Sequence, residues 1–460
     1  MKKLTTGKIW CFAIGQLGWS LLAALISNWL VFFYQPDKAT IASGHAVLIP
    51  QSLCIFGVFT ILGAITAFGR IFDAITDPLI ASASDKCRSK NGRRIPFMKA
   101  AAIPFALVTV LIFWSPIGEE SWFNAGFLFV MLTLFYLFMT MYCTPYNALI
   151  PELGNDQKKR MSISTAISFT YIAGTAIAYT VPVIVNFVKD ALSLNVTNAY
   201  RVTFIILSII GLICLFVPVF TIKEKDYINV EPSKSTAIKS LAATFKNKEF
   251  LKFVASDISY FLGITMFQTA LPFFVTSLLE MDASYATLFF VLMTALSVVF
   301  YVPVSMLTPK LGKKKLILIA FVIFTISFIY TAFFGKFLPI PPFVQGIILC
   351  VVAAPAMAIF GILPQAVVAD ISEFDALDTG ENRSGMFYAA RTFAFKMGQS
   401  AAMLIVTALA TIGADTGLGY RIIALSAAGV CFLGGIIFKL YDEKKIYSKI
   451  IKEETVEENA

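Results

Sequence analysis

The feature that most constrains this chain is a group of three charged residues inside a long apolar run. Arg70, Asp73 and Asp77 lie within the otherwise apolar segment from Leu53 to Ala83. A helix over this segment is long enough to cross a bilayer, since about 20 residues span a hydrocarbon core of roughly 30 Å. Spacings of three and four residues place the three side chains on one helical face. Because an Asp at the centre of such a helix costs about 2.5–3.5 kcal/mol to insert, we expect this face to point into a bundle or a wet cavity that handles an ion or a substrate.

The composition identifies an integral membrane protein. Hydrophobic residues make up 58% of the 460 residues and charged residues only 14%, whereas soluble proteins contain about 25% charged residues. Apolar runs recur along the chain and predict an all-α protein with twelve transmembrane helices. The predicted spans are 9–34, 52–83, 97–115, 122–150, 162–188, 202–222, 250–279, 284–308, 316–335, 341–369, 385–412 and 418–441.

The distribution of basic residues predicts the orientation in the membrane. Most of the 37 Lys and Arg residues lie at the termini and on alternate loops, which indicates a multi-pass plasma-membrane protein with both termini in the cytoplasm. The net charge of +9 reflects this asymmetry, so we expect membrane lipid and no nucleic acid as a partner. His45 is the only histidine and the seven cysteines form no CxxC motif. A His-dependent triad and a multi-His metal site are therefore excluded, and we expect no enzyme.

The longest polar interruption of the apolar pattern divides the predicted spans into six and six. The predicted segments are an N-terminal six-helix bundle over 1–222, a cytoplasmic linker over 223–249, a C-terminal six-helix bundle over 250–441 and a cytoplasmic tail over 442–460. A weak repeat supports two related halves, since the loops after spans 2 and 8 both contain a glycine, Gly92 or Gly312, followed by a basic cluster. Two six-helix repeats are the layout of major facilitator transporters.

Three stretches of the chain carry the motifs of one known family. The first contains Asp73-x-x-x-Asp77-Pro78, Ser84-Asp85-Lys86 and Gly92-Arg93-Arg94-x-Pro96-Phe97; the second contains Val368-Ala369-Asp370-x-x-Glu373-Phe374-Asp375, Thr379-Gly380, Asn382-Arg383-x-Gly385 and Lys396; the third is Pro145-Tyr146-Asn147-Ala148-Leu149-Ile150-Pro151. With twelve spans in order, the chain resembles the glycoside–pentoside–hexuronide:cation symporters, the melibiose permease-like family of the major facilitator superfamily.

This resemblance implies a site for the coupling cation. In the family, the paired aspartates of helix 2 bind the cation and a lysine of helix 11 sits close to them. Carried over, Asp73 and Asp77 bind Na⁺ or H⁺ and Lys396 couples the site to the substrate. The hydroxyls of Thr76 and Thr140 could complete a set of oxygen ligands for Na⁺, and Arg70 is the further coupling residue.

A structural interpretation of the same charges stays open. Three acidic and three basic residues within spans could simply neutralise one another. The six residues are Asp73, Asp77 and Asp257 against Arg70, Arg391 and Lys396. In this interpretation Asp257 and Arg391 are the residues for which a structural role is preferred.

The sugar site departs from the family pattern. Galactoside-transporting members carry one acidic residue early in helix 1 and another in helix 4, where this chain has Ser20 and Cys143, and Ile167 lies where a sugar-site arginine is expected. The resemblance therefore implies an intact cation site and a less negative substrate site, which would suit a uronide or another anionic glycoside. The side chains available to bind a sugar by hydrogen bonds and ring stacking are Trp19, Ser20, Asn28, Tyr146, Asn147, Gln365 and Tyr388. Each of them could instead be an ordinary packed helix residue.

Charged residues of the predicted cytoplasmic loops are candidates for an inner gate. Salt bridges between the two halves would close this face and break when the transporter opens inward. The candidate gating residues are Asp85, Arg88, Arg93, Asp370, Glu373 and Arg383. Solvated loop charges are the alternative interpretation.

The sequence thus predicts a monomeric, cation-coupled symporter that takes up a glycoside, pentoside or hexuronide by alternating access. The coupling ion is Na⁺ or H⁺, and no organic cofactor is expected. Two alternatives stay open: a symporter of the same fold for a lysolipid or another amphiphile, and a membrane sensor that has lost transport.

Overall fold

The computed structural model describes residues 5–55, 57–87, 89, 92–153, 157–227, 244–379, 384–413 and 416–449. Helices dominate this part of the chain, which confirms the predicted all-α class. The helices are α1 (Thr6–Tyr34), α2 (Lys38–Ala42), α3 (Ile61–Lys86), α4 (Ile95–Ile112), α5 (Trp122–Leu153), α6 (Gln157–Tyr179), α7 (Val181–Leu192), α8 (Val196–Thr221), α9 (Glu224–Tyr227), α10 (Lys248–Phe273), α11 (Ser284–Leu311), α12 (Lys313–Ala332), α13 (Pro342–Thr379), α14 (Ser384–Leu409) and α15 (Leu418–Lys439).

The apolar helices make this a multi-pass membrane protein. Within the described ranges, ten helices are long and apolar enough to cross a membrane, or eleven if the bent pair α6–α7 counts as one span. Helix α3, with 26 residues, also has spanning length at about 1.5 Å per residue, although Arg70, Asp73 and Asp77 make it more polar than these helices. Large apolar side chains on the helices stay exposed, as lipid-facing residues do; examples are Phe187, Phe220 and Val299.

The second predicted span begins later than expected. We predicted a helix from residue 52, whereas Leu53–Ile55 and Phe59–Thr60 form a two-stranded antiparallel sheet and α3 begins at Ile61. Gly57 between the strands adopts a positive φ of 67°, which reverses the chain at low cost only for glycine. The hydroxyl of Thr60 then caps α3 by accepting a hydrogen bond from the backbone N–H of Gly63 (3.1 Å).

Two helices are distorted beside a proline. Helices α6 and α7 meet at an angle of 43°, where Pro182 occupies the first turn of α7 and cannot continue the hydrogen bonding of α6. Helix α10 contains Pro272 and passes directly into a π-helical turn, Phe274–Leu278. Both distortions follow from the missing N–H of proline.

The described residues divide into two compact units. The first contains residues 5–227 together with Val275–Ser277 and Asp282–Thr287, and the second contains the remaining described residues from 244 onward. In the first unit, α1 packs against α6 and α8, and α4 packs against α5 and α8. In the second unit, α10 packs against α14 and α15, and α12 packs against α13 and α15. The same pairs of packed helices therefore recur in both units.

Candidate functional site

Helix α3 presents two carboxylates one turn apart on the side that packs against α5. Asp73 is fully buried, whereas Asp77, one turn further along, is partly exposed. Gly69 allows the close approach of the two helices, because a Cβ at this position would lie 2.6 Å from the ring of Tyr136 on α5. Gly69, one turn before Asp73, thus lets α3 bring its carboxylates close to the neighbouring helix.

Threonines of α5 meet both carboxylates. The hydroxyl of Thr140 donates to Oδ1 of Asp73 (2.8 Å), and the hydroxyl of Thr144 donates to Oδ1 of Asp77 (3.3 Å). The hydroxyl of Thr76 donates to the backbone oxygen of Asp73 (3.1 Å) and lies 3.4 Å from that of Thr140. Two carboxylates and three hydroxyls are therefore gathered between α3 and α5.

This donor set consists entirely of oxygen atoms, as a hard cation requires. A threonine hydroxyl can donate to a carboxylate and still offer lone pairs to an ion, so the hydrogen bonds observed are compatible with cation binding. Within the described residues, no cluster of three or more His, Cys, Asp or Glu side chains is placed to bind a metal ion. The arrangement is thus suited to Na⁺ held by two carboxylates with hydroxyl support, or to a proton carried by one carboxylate.

Thr144 is a member of this group that the sequence analysis missed. Thr140 and Thr144 have the same four-residue spacing as Asp73 and Asp77, and two helices that pack side by side with equal spacings can pair their residues at two successive turns. That match of spacings was the available signal.

Arg70 lies one turn before Asp73 and is 9% exposed. Its Nη2 donates to the hydroxyl of Ser27 on α1 (2.9 Å), and its guanidinium lies 5.2 Å from the ring centroid of Tyr136. Its Nε is buried and has no hydrogen-bond acceptor among the described residues.

The other intramembrane charges lie in the second unit. Arg391 on α14 forms two hydrogen bonds with Asp257 on α10, at 2.7 and 3.1 Å, and the rings of Phe253 and Phe261 flank its guanidinium. The structural role preferred for both residues stays a prediction. Lys396, one turn and a half further along α14, is 8% exposed, and its coupling role stays a prediction.

The substrate candidates on α1 face α6. Trp19 is half-buried, with its ring centroid 6.3 Å from that of the Tyr171 ring on α6. Its buried Nε1 meets no hydrogen-bond acceptor in the part of the chain that the structure describes. Ser20 is buried and donates to the backbone oxygen of Leu17 (3.2 Å). Asn28 is 5% exposed. Of these three, Trp19 has an unused donor that a sugar hydroxyl could meet.

The remaining substrate candidates differ in their accessibility. Tyr146 is fully buried, stacks on Phe12 with a centroid distance of 4.3 Å and donates to its backbone oxygen (2.8 Å). Its side chain therefore joins α5 to α1 in this conformation. Asn147 and Gln365 are exposed, and the hydroxyl of the exposed Tyr388 donates to the backbone oxygen of Gln365 (3.2 Å). The roles of all these residues in substrate binding stay predictions.

Two of the gating candidates that the structure describes, Arg93 and Asp370, form ion pairs, each within its own unit. Arg93 lies 3.3 Å from Oε1 of Glu152 in the first unit, and Asp370 lies 2.6 Å from Nζ of Lys313 in the second. Glu373 is exposed. The other candidates lie outside the described residues or side chains: Arg88, Arg383 and the side chain of Asp85.

Glu224 and Glu443, which the sequence analysis did not identify as candidates, accept backbone hydrogen bonds at the starts of α4 and α12, beside these ion pairs. The carboxylate of Glu224 accepts backbone hydrogen bonds from Arg93 (2.8 Å), Arg94 (2.8 Å) and Ile95 (3.2 Å), at the start of α4. A Cβ at Gly92 would lie 2.2 Å from Oε2 of this carboxylate. A negative charge at a helix N-terminus satisfies free N–H groups and interacts favourably with the helix dipole.

The second unit repeats this arrangement. Glu443 accepts backbone hydrogen bonds from Lys313 (2.8 Å) and Lys314 (3.2 Å) at the start of α12, and a Cβ at Gly312 would lie 2.9 Å from its Oε2. Each glutamate begins a Glu-Lys pair shortly after a predicted span, Glu224 after the sixth span and Glu443 after the twelfth. This recurrence was the signal available in the sequence.

Comparison with known proteins places this architecture among transporters. Residues 11–421 match the family model described as MFS/sugar transport protein. An uncharacterized symporter of Bacillus subtilis, YnaJ, is 25% identical over 408 residues, which cover 87% of this chain and 81% of the relative. A putative glycoside/cation symporter of Escherichia coli, YagG, is 30% identical over 200 residues, 43% of this chain and 42% of the relative.

Solved structures agree on the fold. The crystal structure of a D-xylose-proton symporter superposes with a TM-score of 0.64, covering 94% of this chain and 98% of that chain at 18% sequence identity. At this identity the likeness establishes the major facilitator fold and leaves the substrate open.

Proposed function

The chain belongs to the MFS/sugar transport protein family, and on that premise we propose that it is a symporter that takes up a glycoside, pentoside or hexuronide together with Na⁺ or H⁺. It moves its substrate by alternating access between two six-helix bundles joined by a linker. The relatives named as symporters, one of them for glycosides and cations, support the general activity.

One observation carries the proposal. Asp73 and Asp77 face Thr140 and Thr144 across the α3–α5 contact, with hydroxyl–carboxylate distances of 2.8 and 3.3 Å. Carboxylates within a membrane helix are costly and are retained at ion and substrate pathways. The proposed role of this group is to bind the coupling cation, with Lys396 and Arg70 connecting the site to the substrate.

Coupling then follows from linkage. If the cation favours the conformation that binds sugar, sugar raises the affinity for the cation by the same factor. Each positive charge that moves inward with a neutral sugar gains about 2.3 kcal/mol per 100 mV of membrane potential. That free energy suffices to concentrate a neutral sugar by a factor of roughly 50, since about 1.4 kcal/mol corresponds to tenfold.

The proposal includes a location and a gate. We place the protein in the plasma membrane as a monomer with both termini in the cytoplasm, because the basic residues concentrate on that side of the predicted topology. The pairs Arg93–Glu152 and Asp370–Lys313 would then lie at the cytoplasmic ends of their units. Arg93 and Asp370 are proposed to exchange these partners for inter-bundle contacts during gating.

The test is uptake of labelled glycosides, pentosides and uronides into proteoliposomes with imposed Na⁺ or H⁺ gradients. The variants are Asp73→Cys and Asp77→Cys, and the matched control is Asp190→Cys, an exposed carboxylate on α7. Accumulation of one sugar in the wild type and the control, with none in the two site variants, is the expected result. If no sugar accumulates under either gradient, the proposal fails. Lysolipid uptake under the same gradients would then identify an amphiphile symporter, and sugar binding without uptake would identify a sensor.

A further inference from the structure

Asp37 precedes α2 in the loop that the topology predicts to be the first external one. Its Oδ1 accepts a hydrogen bond from the backbone N–H of Thr40 (2.9 Å) and thereby caps α2. Its Oδ2 accepts two further hydrogen bonds, from the hydroxyls of Thr276 (2.6 Å) and Ser277 (2.5 Å). Asp37 is 6% exposed, so a carboxylate from a loop predicted to face water is enclosed by uncharged donors.

A local distortion of the chain brings the two hydroxyls to one oxygen. Thr276 and Ser277 lie in the π-helical turn Phe274–Leu278, in which the N–H of Leu279 donates to the backbone oxygen of Phe274 (3.0 Å). On a regular α-helix, consecutive side chains point about 100° apart, which separates neighbouring hydroxyls. π-helical turns are rare and occur frequently at functional sites.

These hydrogen bonds join residues that are far apart in the sequence and belong to one compact unit. Thr276 and Ser277 come from the half of the chain that was predicted as the C-terminal bundle. Nevertheless, Val275–Ser277 and Asp282–Thr287 cluster with the first unit, which also contains Asp37. The second half of the sequence therefore contributes two short segments to the first unit.

The second of these segments has contacts of its own. The amide of Asn186 donates to Oδ1 of Asp282 (3.4 Å), and the hydroxyl of Thr287 donates to the backbone oxygen of Tyr179. Asp282, like Asp37, lies in a loop that the topology predicts to be external. Both segments are thus held by hydrogen bonds near the predicted external side.

We propose that Asp37, Thr276 and Ser277 form an external gate, which closes the outer end of the transport path when the two hydroxyls bind the carboxylate. This inference rests on the proposed function, since alternating access requires an outer end that closes and opens. The proposed gating residues Arg93 and Asp370 belong to the opposite, predicted cytoplasmic side. The three residues of the external gate are positioning residues: they set the population of the closed state and do not touch the substrate.

The chemistry of this contact suits a gate that opens in every cycle. Hydrogen bonds to a charged group are stronger than those between neutral groups, so two of them favour the closed state. When the segments separate, water replaces both donors at the carboxylate. An intermediate arrangement, in which the carboxylate is enclosed without the hydroxyls, would leave a buried charge without donors and is costly. The gate therefore favours two states, one paired and one hydrated.

The experiment follows both ends of the protein by hydrogen–deuterium exchange and mass spectrometry, in proteoliposomes without substrate. The double variant Thr276→Val, Ser277→Ala removes both donors and leaves Asp37 as the cap of α2. Backbone amides of the external peptides 35–45 and 274–287 should exchange about tenfold faster or more, because two charge-assisted hydrogen bonds are lost. Amides at the starts of α6 and α12 should exchange more slowly, because in alternating access the inner end closes as the outer end opens.

Sugar uptake gives a second readout that general damage to the fold would not produce. A variant that favours the outward-open state has a larger fraction ready to bind external sugar, so the external sugar concentration for half-maximal uptake should fall. Its maximal rate should fall as well, because closure of the outer end is disfavoured. Asp37→Asn keeps a capping side chain on α2 and loses the charge, so it should shift both quantities in the same direction by less.

Matched controls remove hydroxyls on the same predicted side without touching Asp37. The hydroxyl of Ser43 donates to the backbone oxygen of Thr40 (2.7 Å), and that of Thr180 donates to the backbone oxygen of Ile177 (2.7 Å). Ser43→Ala and Thr180→Val should therefore exchange and transport like the wild type. Should the double variant fail to fold, the single changes at Thr276 and Ser277 and Asp37→Asn decide the question by the same readouts.

The possible failures are distinguishable. Faster exchange confined to peptides 35–45 and 274–287, with wild-type exchange at the starts of α6 and α12, would show a purely local loop contact and overturn the inference. Wild-type exchange at both ends overturns it as well. Opposite changes at the two ends, in a protein that transports none of the offered sugars, would support the gate and overturn the proposed sugar symport.

Discussion

The hydroxyl of Thr140 donates a 2.8 Å hydrogen bond to Oδ1 of the fully buried Asp73. This contact fixes one carboxylate of α3 against α5 and sets the height at which Thr144 meets Asp77. It converts a sequence motif on one helix into a site with ligands from two helices.

Replacing Thr140 or Thr144 by valine should weaken the cation site without changing its shape. Each change removes one oxygen ligand while keeping the β-branched side chain, so we expect the cation concentration for half-maximal uptake to rise about 5- to 30-fold, as the loss of about 1–2 kcal/mol implies. Thr133→Val is the matched control, because the Thr133 hydroxyl donates to the backbone oxygen of Phe129 on the same helix. An equal effect of all three changes on uptake would argue against ligand roles for Thr140 and Thr144.

An alanine at Gly92 should destabilise the first unit. Gly92 has a φ of +109°, which costs an L-residue about 1–2 kcal/mol, and the new Cβ would collide with Glu224 and displace it from the start of α4. We expect the apparent melting temperature in detergent to fall by about 5 °C or more. Gly126→Ala, where a Cβ meets nothing within 4 Å, should leave it within about 1 °C or raise it slightly. Equal melting temperatures for both variants would show that the Glu224 contact is dispensable.

The pair Asp257–Arg391 should behave as a structural unit. Removing one partner, in Asp257→Leu or Arg391→Met, leaves a buried charge, and the expected loss of stability is about 3–5 kcal/mol. The double variant removes both charges and should recover much of the thermal stability and the sugar uptake. Loss of uptake by a double variant as stable as the wild type would instead assign the pair a function in transport.

Thermal stability should depend on pH through His45. This residue is buried between Phe33 and Tyr200 in a loop outside the helices, with ring centroids at 5.0 and 5.5 Å, and its burial lowers the pKa of the imidazole to about 4. The folded state thus disfavours the proton that the unfolded chain takes up near pH 6.5. Stability should therefore fall as the pH drops from about 6.5 towards 4, by on the order of 3 kcal/mol.

The variant His45→Gln isolates this contribution. Its melting temperature should decrease less than that of the wild type between pH 7 and 5, while changes caused by carboxylates affect both proteins alike. Parallel curves for the two proteins would exclude His45 as the source.

Much of the helical architecture could be predicted from local sequence patterns. Apolar run lengths predicted the spanning helices, and the four-residue spacing of Asp73 and Asp77 predicted that both side chains share one face of α3. These features depend on residues within one helix, for which hydrophobic periodicity suffices.

The contacts that the sequence did not predict join segments far apart in the chain. Glu224 reaches Arg93 and Glu443 reaches Lys313, and no local pattern specifies which helix end a distant carboxylate meets. The strand pair before α3 was not predicted, because its apolar residues form one continuous apolar run with the helix that follows.

The measurement that tests the central claim most directly is cation flux induced by sugar. Proteoliposomes with no imposed gradient receive an external pulse of the transported sugar, and the entry of Na⁺ (as ²²Na⁺) or of protons (with an internal pH dye) is recorded. The wild type and the exposed control Asp190→Asn should show cation entry in fixed proportion to sugar entry. Asp73→Asn and Asp77→Asn should show none, even where sugar still equilibrates. Cation entry per sugar that is unchanged in both site variants would contradict the assignment of these carboxylates as the coupling site.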